Sequence, residues 1–288
     1  IKSRLEHELN IICTLGYEDY FLVAWDIVMF AKSEGIRFAG RGSAADSAVA
    51  HCLFITNVDP IGRGLIFERF LSLERAQKPD IDIDFDARRR DEVKRYVRHK
   101  YGTRHVATVC TFNTFKARSA VRDVGKVMGI SGSDLDRLAK RLPHVYADEI
   151  KTAIKKYPEL YNGDISFDDY SRLFEVCHAL AGLPRHIGTH LGGIVVSRLP
   201  LAEVSPLQVS ARGDVIIQFD KDDVEEIGLI KLDLLSLRML SVIEDSTVSS
   251  GIDPDEIPLD DDATYKMINE GGTIGVFQLE SPAQRALQ

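Results

Sequence analysis

Four cysteines in 288 residues, none of them in a Cys-x-x-Cys pair, give this sequence little material for a disulfide framework or a thiolate zinc site. Cys13, Cys52, Cys110 and Cys177 are far apart, so a reducing, cytoplasmic setting is the expectation. No apolar run approaches the roughly 20 residues that a membrane-spanning helix needs, and the first residues lack a signal-peptide pattern. A membrane partner is therefore not expected. Internal repeats and low-complexity tracts are missing as well, which argues against a repeat architecture. The single tryptophan, Trp25, and the tyrosines read as packing residues rather than base-stacking ones. What remains is ordinary globular material, 44% hydrophobic and 28% charged, long enough for about two domains.

A net charge of −8 argues against a nucleic-acid partner until its placement is considered. Between Arg88 and Lys126, twelve Lys and Arg residues face only Asp91, Glu92 and Asp123. Phosphate binding requires a local basic block, not a basic sum. Arg90, Lys94 and Arg98 fall four apart on one predicted helix, and Arg118, Arg122 and Lys126 do so on another. A solvated helix face would carry the same charges, yet two such ridges flanking an acidic strand suggest a track for a nucleic-acid backbone.

That acidic strand is Pro79-Asp80-Ile81-Asp82-Ile83-Asp84-Phe85. Carboxylates alternate with apolar residues at the β period, so Asp80, Asp82 and Asp84 share one face and Ile81, Ile83 and Phe85 the other. Aspartates two apart on a strand are about 6.6 Å apart and repel by about 2–3 kcal/mol at an effective dielectric near 20. A cation removes that cost, and oxygen-only ligands suit Mg²⁺ or Mn²⁺. A solvated edge strand or a Ca²⁺ loop would present a similar pattern. In Ile230-Lys231-Leu232-Asp233, Lys231 and Asp233 point the same way on a second strand-like segment. A sheet that sets this strand beside the first gathers three or more carboxylates around one ammonium. Such a group can hold two divalent ions for an in-line phosphoryl displacement. The residues alone leave nucleotidyl transfer, phosphoester hydrolysis and a non-catalytic nucleic-acid scaffold open.

Elsewhere the pattern predicts a helix from about Glu18 to Glu34, a short strand Arg37–Ala39, and then Gly40-Arg41-Gly42-Ser43-Ala44-Ala45. Glycines before a Ser-capped helix running to about Thr56 would present free N–H groups to phosphates, although tight packing explains a small-residue turn equally well. A helix Asp91–Tyr101, a strand His105–Cys110 and a largely helical stretch from Phe115 to Leu183, broken at Gly129, Pro143 and Pro158, follow. Strands return at 193–197, 215–219 and 227–234, making an α/β sheet domain interrupted by a helical insertion. His186 and His190 have helical metal-ligand spacing, but Gly188 between them predicts a loop and a structural role.

These residues resemble a known family nearly end to end. Tyr20-Phe21-Leu22-Val23-Ala24-Trp25-Asp26, Gly40-Arg41-Gly42-Ser43, Phe67-Glu68-Arg69-Phe70 and Pro79 to Phe85 carry the likeness first. Ala120-Val121-Arg122-Asp123-Val124-Gly125, Gln218-Phe219-Asp220-Lys221, Lys231-Leu232-Asp233 and Val276-Phe277-Gln278-Leu279-Glu280-Ser281 continue it in order. The chain is similar to the bacterial C-family DNA polymerases, the alpha subunits of DNA polymerase III. The resemblance implies a mixed-sheet nucleotidyltransferase palm of the polymerase beta-like kind (1–111 and 186–238), a helical thumb inserted at 112–185, and truncated fingers from 239 to 288.

It further implies that Asp80, Asp82 and Asp233 are catalytic metal ligands for two Mg²⁺ ions, with Mn²⁺ as a substitute and Asp84 in support. Gly42, Ser43, Arg41, Arg69 and Lys231 would hold the dNTP triphosphate. Arg90, Lys94, Arg98, Lys116, Arg118, Arg122 and Lys126 would meet the backbone of primer–template DNA. In the longer protein, a sliding clamp and replisome or lesion-bypass subunits are the implied partners. The chain departs from the family at Phe54 and Ser236, where Gly is usual, and at Asp46, where Gly or Asn is common. Glu280-Ser281-Pro282-Ala283-Gln284 is similar to the error-prone branch.

Overall fold

The computed structural model describes residues 1–74, 78–157, 167–229 and 231–287; Pro158 and Ile230, both part of the expectations above, lie outside the described residues. Twelve α-helices and seven strands in mixed pairing make an α/β fold among the described residues. The chain forms two compact units, one from Ile1–Ala107, Leu191–Leu201 and Ile227–Gln288, the other from Thr108–His190 and Ala202–Glu226. No helix among the described residues is long and apolar enough to cross a membrane.

The first unit opens on α1 (Lys2–Thr14) and α2 (Glu18–Ser33), followed by β1 (Phe38–Arg41), α3 (Ala48–Cys52), β2 (Asp82–Asp86) and α4 (Arg90–Tyr101). In the second unit come β3 (Val106–Thr114), α5 (Ala117–Val127), α6 (Gly132–Arg141), α7 (Ile150–Lys156) and α8 (Ser171–Ala179). Strand β4 (Pro184–Val196) leads to β5 (Leu207–Val209), β6 (Val215–Ile217) and α9 (Lys221–Glu226). The chain then forms β7 (Lys231–Leu237), α10 (Arg238–Ser250), α11 (Asp262–Asn269) and α12 (Pro282–Arg285).

In the first unit β1 pairs antiparallel with β2, β2 runs parallel to β7, and β7 is antiparallel to the Gly193–Val195 part of β4. Parallel pairing of β2 and β7 demands a long connection, and the sequence supplies one of about 145 residues between them. The β2–β7 register sets Asp82 opposite Asp233. Ile81, Ile83 and Phe85 have no solvent exposure and pack with Tyr20, Phe21, Ala24, Ile27 and Val28 of α2 and with Val93 and Val97 of α4. Burying each such side chain contributes about 1.5–3 kcal/mol, which makes the alternating strand the spine of this core.

In the second unit β6 lies between β3, to which it is parallel, and β5, to which it is antiparallel. A separate helical core joins Ala120, Val121 and Val124 of α5, Leu135 and Leu138 of α6, Ile150 of α7, and Leu173, Phe174 and Cys177 of α8.

Several expectations are corrected. Helix α1 was not anticipated, and neither were β5 and α9. After β1 the chain makes a 3₁₀ turn over Gly42–Asp46 and a five-residue α3; the cap is Ser47, whose hydroxyl accepts from Ala50 N, not Ser43. The expected loop at His186 and His190 is part of β4. Four residues of strand separate these histidines by about 13 Å, too far to share a metal ion. Phe54 takes φ = 60°, a left-handed conformation that suits glycine, and the Lys32 ammonium sits 4.0 Å from its ring centre.

Helix α10 is bound to the far end of β2. Asp86 accepts from the Ser241 hydroxyl at 2.6 Å, Arg88 donates to Asp245 at 2.9 Å, and Arg37 meets Glu244 at 2.5 Å and Thr247 at 3.2 Å. Burial alone would raise the Asp86 carboxyl, but the bonds from Ser241 and Arg88 outweigh it and hold the group below the usual range.

Candidate active site

Asp82 opens β2, and Asp233 lies across the parallel ladder from it. Asp80 precedes the strand rather than belonging to it, because the paired register begins at Asp82. One carboxylate oxygen from each of Asp80, Asp82 and Asp233 lies within 4.8 Å of the other two. Burial, followed by the charges of Asp80 and Asp233, pushes the Asp82 carboxyl up to about 6 against the opposing pull of Arg41 and Lys231. Three converging oxygens with mutual repulsion fit a hard divalent cation.

Lys231 spans the cluster, with its ammonium 3.2 Å from Asp80 Oδ1 and also donating to Asp233 Oδ2. Burial pulls its pKa down, but the bond and charge of Asp233, with those of Asp80, outweigh it and the net shift is upward. Lys231 therefore stays charged and offsets part of the acid charge. Asp84 lies outside this group. It is buried beside Arg41 at 3.3 Å, and burial raises its pKa despite that guanidinium.

The Gly42 turn starts beside these acids because the β1–β2 register pairs Arg41 with Asp82. Gly42 has φ = +69°, and a Cβ built there would lie 3.6 Å from the Asp82 carboxylate. A side chain at this point would be strained by the left-handed φ and would sit in van der Waals contact with the acid site. Ser43 and Arg69 are exposed on the same unit, and Arg69 approaches the buried Asp46 at 4.0 Å.

Two supports for this arrangement come from residues that pattern reading passed over. Glu8 of α1 has no exposure and accepts from Arg4 Nε at 2.5 Å, Ser47 Oγ at 2.8 Å and Val49 N at 3.1 Å. Arg4 also donates to the carbonyls of Asp46 and Leu65, at 3.1 and 3.2 Å. This brace holds the residues that close the Gly42 turn. Glu8→Gln keeps one acceptor and loses the charge, so thermal unfolding should report a loss of about 1–2 kcal/mol. An unchanged midpoint would mean that α1 does not brace the turn. The second support is Tyr20 of α2, whose hydroxyl accepts from Ile81 N at 2.8 Å and donates to the Lys231 carbonyl at 3.1 Å. Burial, more than the neighbouring acids, keeps that phenol protonated by raising its pKa well above the ordinary value. In the sequence Tyr20 shows only as a helical tyrosine that opens the Tyr20–Asp26 stretch of the family likeness.

The basic residues are partly engaged. Arg90 donates to the Leu191 carbonyl at 2.9 Å; Lys94 and Arg98 are half-buried on α4. In the second unit Arg118 donates to the Leu142 carbonyl at 2.7 Å and Arg122 pairs with Asp136 at 3.0 Å. The Lys116 ammonium stands 3.4 Å over the Tyr146 ring, and Lys126 is exposed. Lys116, Arg118, Arg122 and Arg185 nonetheless line one cavity of about 290 Å³. Its charge is reduced by the Asp136 pair and by the Arg185–Asp123 pair at 2.6 Å.

Comparison with known proteins agrees along the whole chain. A family model described as the bacterial DNA polymerase III alpha NTPase domain matches residues 1–236, and one described as the alpha subunit finger domain matches residues 233–288. An error-prone DNA polymerase of Symbiobacterium thermophilum is 64% identical over 290 residues, covering 100% of this chain and 27% of its own length. The DNA polymerase III subunit alpha of Bacillus subtilis is 43% identical over 291 residues, covering 99% and 26%. An error-prone DNA polymerase of Anaeromyxobacter dehalogenans is 41% identical over 307 residues, covering 100% and 27%. The chain thus spans about a quarter of the length of these curated relatives. It belongs to the bacterial DNA polymerase III alpha-subunit family.

Proposed function

We propose that this chain is the catalytic core of a DNA-directed DNA polymerase, transferring a nucleotide from a dNTP to a primer 3′-hydroxyl. The observation that carries this reading is the convergence of Asp80, Asp82 and Asp233 beside the Gly42 turn, with Lys231 among them. Asp80, Asp82 and Asp233 would hold two Mg²⁺ ions, for which Mn²⁺ can substitute. When bound, the ions supply Lewis acidity to the attacking hydroxyl and to the leaving pyrophosphate. Lys231, Arg41 and Arg69 offset triphosphate charge, and the Gly42-Ser43 turn offers backbone and hydroxyl donors without a side chain in the way. Asp84 acts indirectly by holding Arg41.

In the same reading, residues 1–111 and 186–238 are palm, 112–185 thumb and 239–288 the start of fingers. Arg90, Lys94, Arg98, Lys116, Arg118, Arg122 and Lys126 follow the phosphates of primer–template DNA. The longer polypeptide works with a sliding clamp and other replication or lesion-bypass subunits. Identity of 64% to the Symbiobacterium thermophilum protein, together with the Glu280-Ser281-Pro282 stretch, favours the error-prone branch.

Mg²⁺-dependent primer extension, assayed beside degradation of single-stranded DNA with the full-length polypeptide, tests the reaction. Templated extension with little degradation is expected. Degradation without extension would favour a two-metal nuclease, which needs the carboxylates but not the triphosphate turn.

A further inference from the structure

The two hydrogen bonds of Tyr20 fall where the β2–β7 ladder runs out. Paired residues begin with Asp82 opposite Asp233, and the Asp233 amide reaches back to the Ile81 carbonyl at 3.4 Å. Upstream of that contact, Asp80 carries a cluster carboxylate on backbone that the ladder does not pair. The next groups in line, the Ile81 amide and the Lys231 carbonyl, meet on a single atom, the Tyr20 hydroxyl, at 2.8 and 3.1 Å. That oxygen is a rung between the segment bearing Asp80 and Asp82 and the segment bearing Lys231 and Asp233. The rung is firmly mounted. Tyr20 is 4% exposed, it packs edge-on against Phe21 with centroids 6.3 Å apart, and Ala24 and Ile27 of the same helix have no exposure. Packing alone would be served by phenylalanine; the hydroxyl is what joins the two segments.

We propose that Tyr20 is a positioning residue of the metal centre, its hydroxyl setting the separation of Asp80 from Asp233 and with it the affinity of the cluster for a hard divalent cation. The proposal rests on the metal reading of Asp80, Asp82 and Asp233. Tyr20 acts through backbone, since its hydroxyl bonds to an amide and a carbonyl rather than to a carboxylate. Groups that orient metal ligands from behind commonly affect affinity by about 10–100-fold when lost. A rung shared by two segments belongs at the lower end of that range.

The test is Tyr20→Phe in the full-length polypeptide, titrated with Mn²⁺ and followed by electron paramagnetic resonance. The quantity read is the binding that Asp82→Asn removes, which separates this centre from any other metal site in the protein. Mn²⁺ binding about tenfold weaker than in the parent is expected. The Mg²⁺ concentration for half-maximal primer extension should rise by a similar factor, while KM for dNTP at saturating Mg²⁺ stays within about twofold. A purely structural tyrosine would lower the unfolding temperature without moving the metal midpoint. Metal affinity within twofold of the parent overturns the proposal and leaves the metal reading intact. A parent with no Asp82-dependent site overturns both. If Tyr20→Phe does not fold, 3-fluorotyrosine at this position keeps the ring and weakens the hydroxyl as an acceptor. A shift of about threefold is then expected, and no shift overturns the proposal.

Discussion

Asp82→Asn should abolish most primer extension by the full-length polypeptide while making this chain harder to unfold in metal-free buffer. Asparagine keeps the shape but removes one anionic ligand and leaves Asp80 and Asp233 as the remaining acids of the cluster. A drop of roughly 10³-fold is expected, equivalent to about 4 kcal/mol at 1.36 kcal/mol per decade. The stability effect has the opposite sign. The folded chain raises the Asp82 carboxyl to about 6, so its charged form is disfavoured in the native state. Stability is therefore greatest below the unfolded value, about 3.9, and is lost as pH rises through 6. Asp82 is only half-buried, which discounts the effect to about 1 kcal/mol at pH 7.5. In EDTA, Asp82→Asn should melt above the parent at pH 7.5, and the gap should close near pH 4. Adding Mg²⁺ should raise the parent's midpoint and not the variant's, because only the native parent binds it. A variant that extends primers at the parental rate would remove Asp82 from the chemistry. One that melts below the parent in EDTA would remove the electrostatic argument.

Gly40→Ala should have the largest effect on the fold. A Cβ at Gly40 would lie 2.0 Å from the Ile55 carbonyl oxygen, 2.8 Å from its carbon and 3.2 Å from Thr56 Cα. All three are backbone atoms, so no side chain can swing aside. Relief requires moving β1 away from Ile55 or tilting it against β2, where Gly40 faces Ile83. A loss of about 3 kcal/mol or more is expected, seen as a fall of about 8 °C in the unfolding midpoint. Because Arg41 and Gly42 follow directly, dNTP affinity should fall even below the transition. A midpoint within 2 °C of the parent would show that the Ile55 loop yields easily.

The acid strand was legible because Ile81, Ile83 and Phe85 had to be buried, and a period of two then fixed the face of Asp82 and Asp84. That Asp233 would join them followed from supposing a shared sheet and from the family resemblance, not from the local pattern. The position of Asp80 outside the strand was not legible, since register depends on where the partner strand begins. Helix α1 was hidden by its chemistry: Glu8 stands on the buried face, where a pattern search expects an apolar residue. Its burial makes sense only with Arg4, Ser47 and Val49 around it, contacts that span up to 41 residues. The histidine segment misled for a similar reason. Gly188 signals a loop locally, but β4 runs through it from Pro184, and a Cβ at Gly188 or Gly192 would meet its nearest neighbour, Asn113 or Leu235, at 2.5 Å. Gly188 and Gly192 permit close contact instead of breaking the strand. The basic ridges were visible as charge, whereas the carboxylates and carbonyls that occupy several of them were not.

Strand β7 passes into α10 without an intervening residue, and Asp233 lies five positions before the helix begins. The pair works as a crank: a rigid arm attached to a short shaft, with a metal-ligand candidate on the shaft. Arg37 and Arg88 act as bolts that fix the arm to the β2 end of the same sheet through Glu244 and Asp245. The arm is thus fastened at that end by two ion pairs and by the Ser241 hydroxyl on Asp86. The ion pairs are partly exposed and screened by salt, so ionic strength acts on the fastening of α10 as well as on any attraction for phosphate.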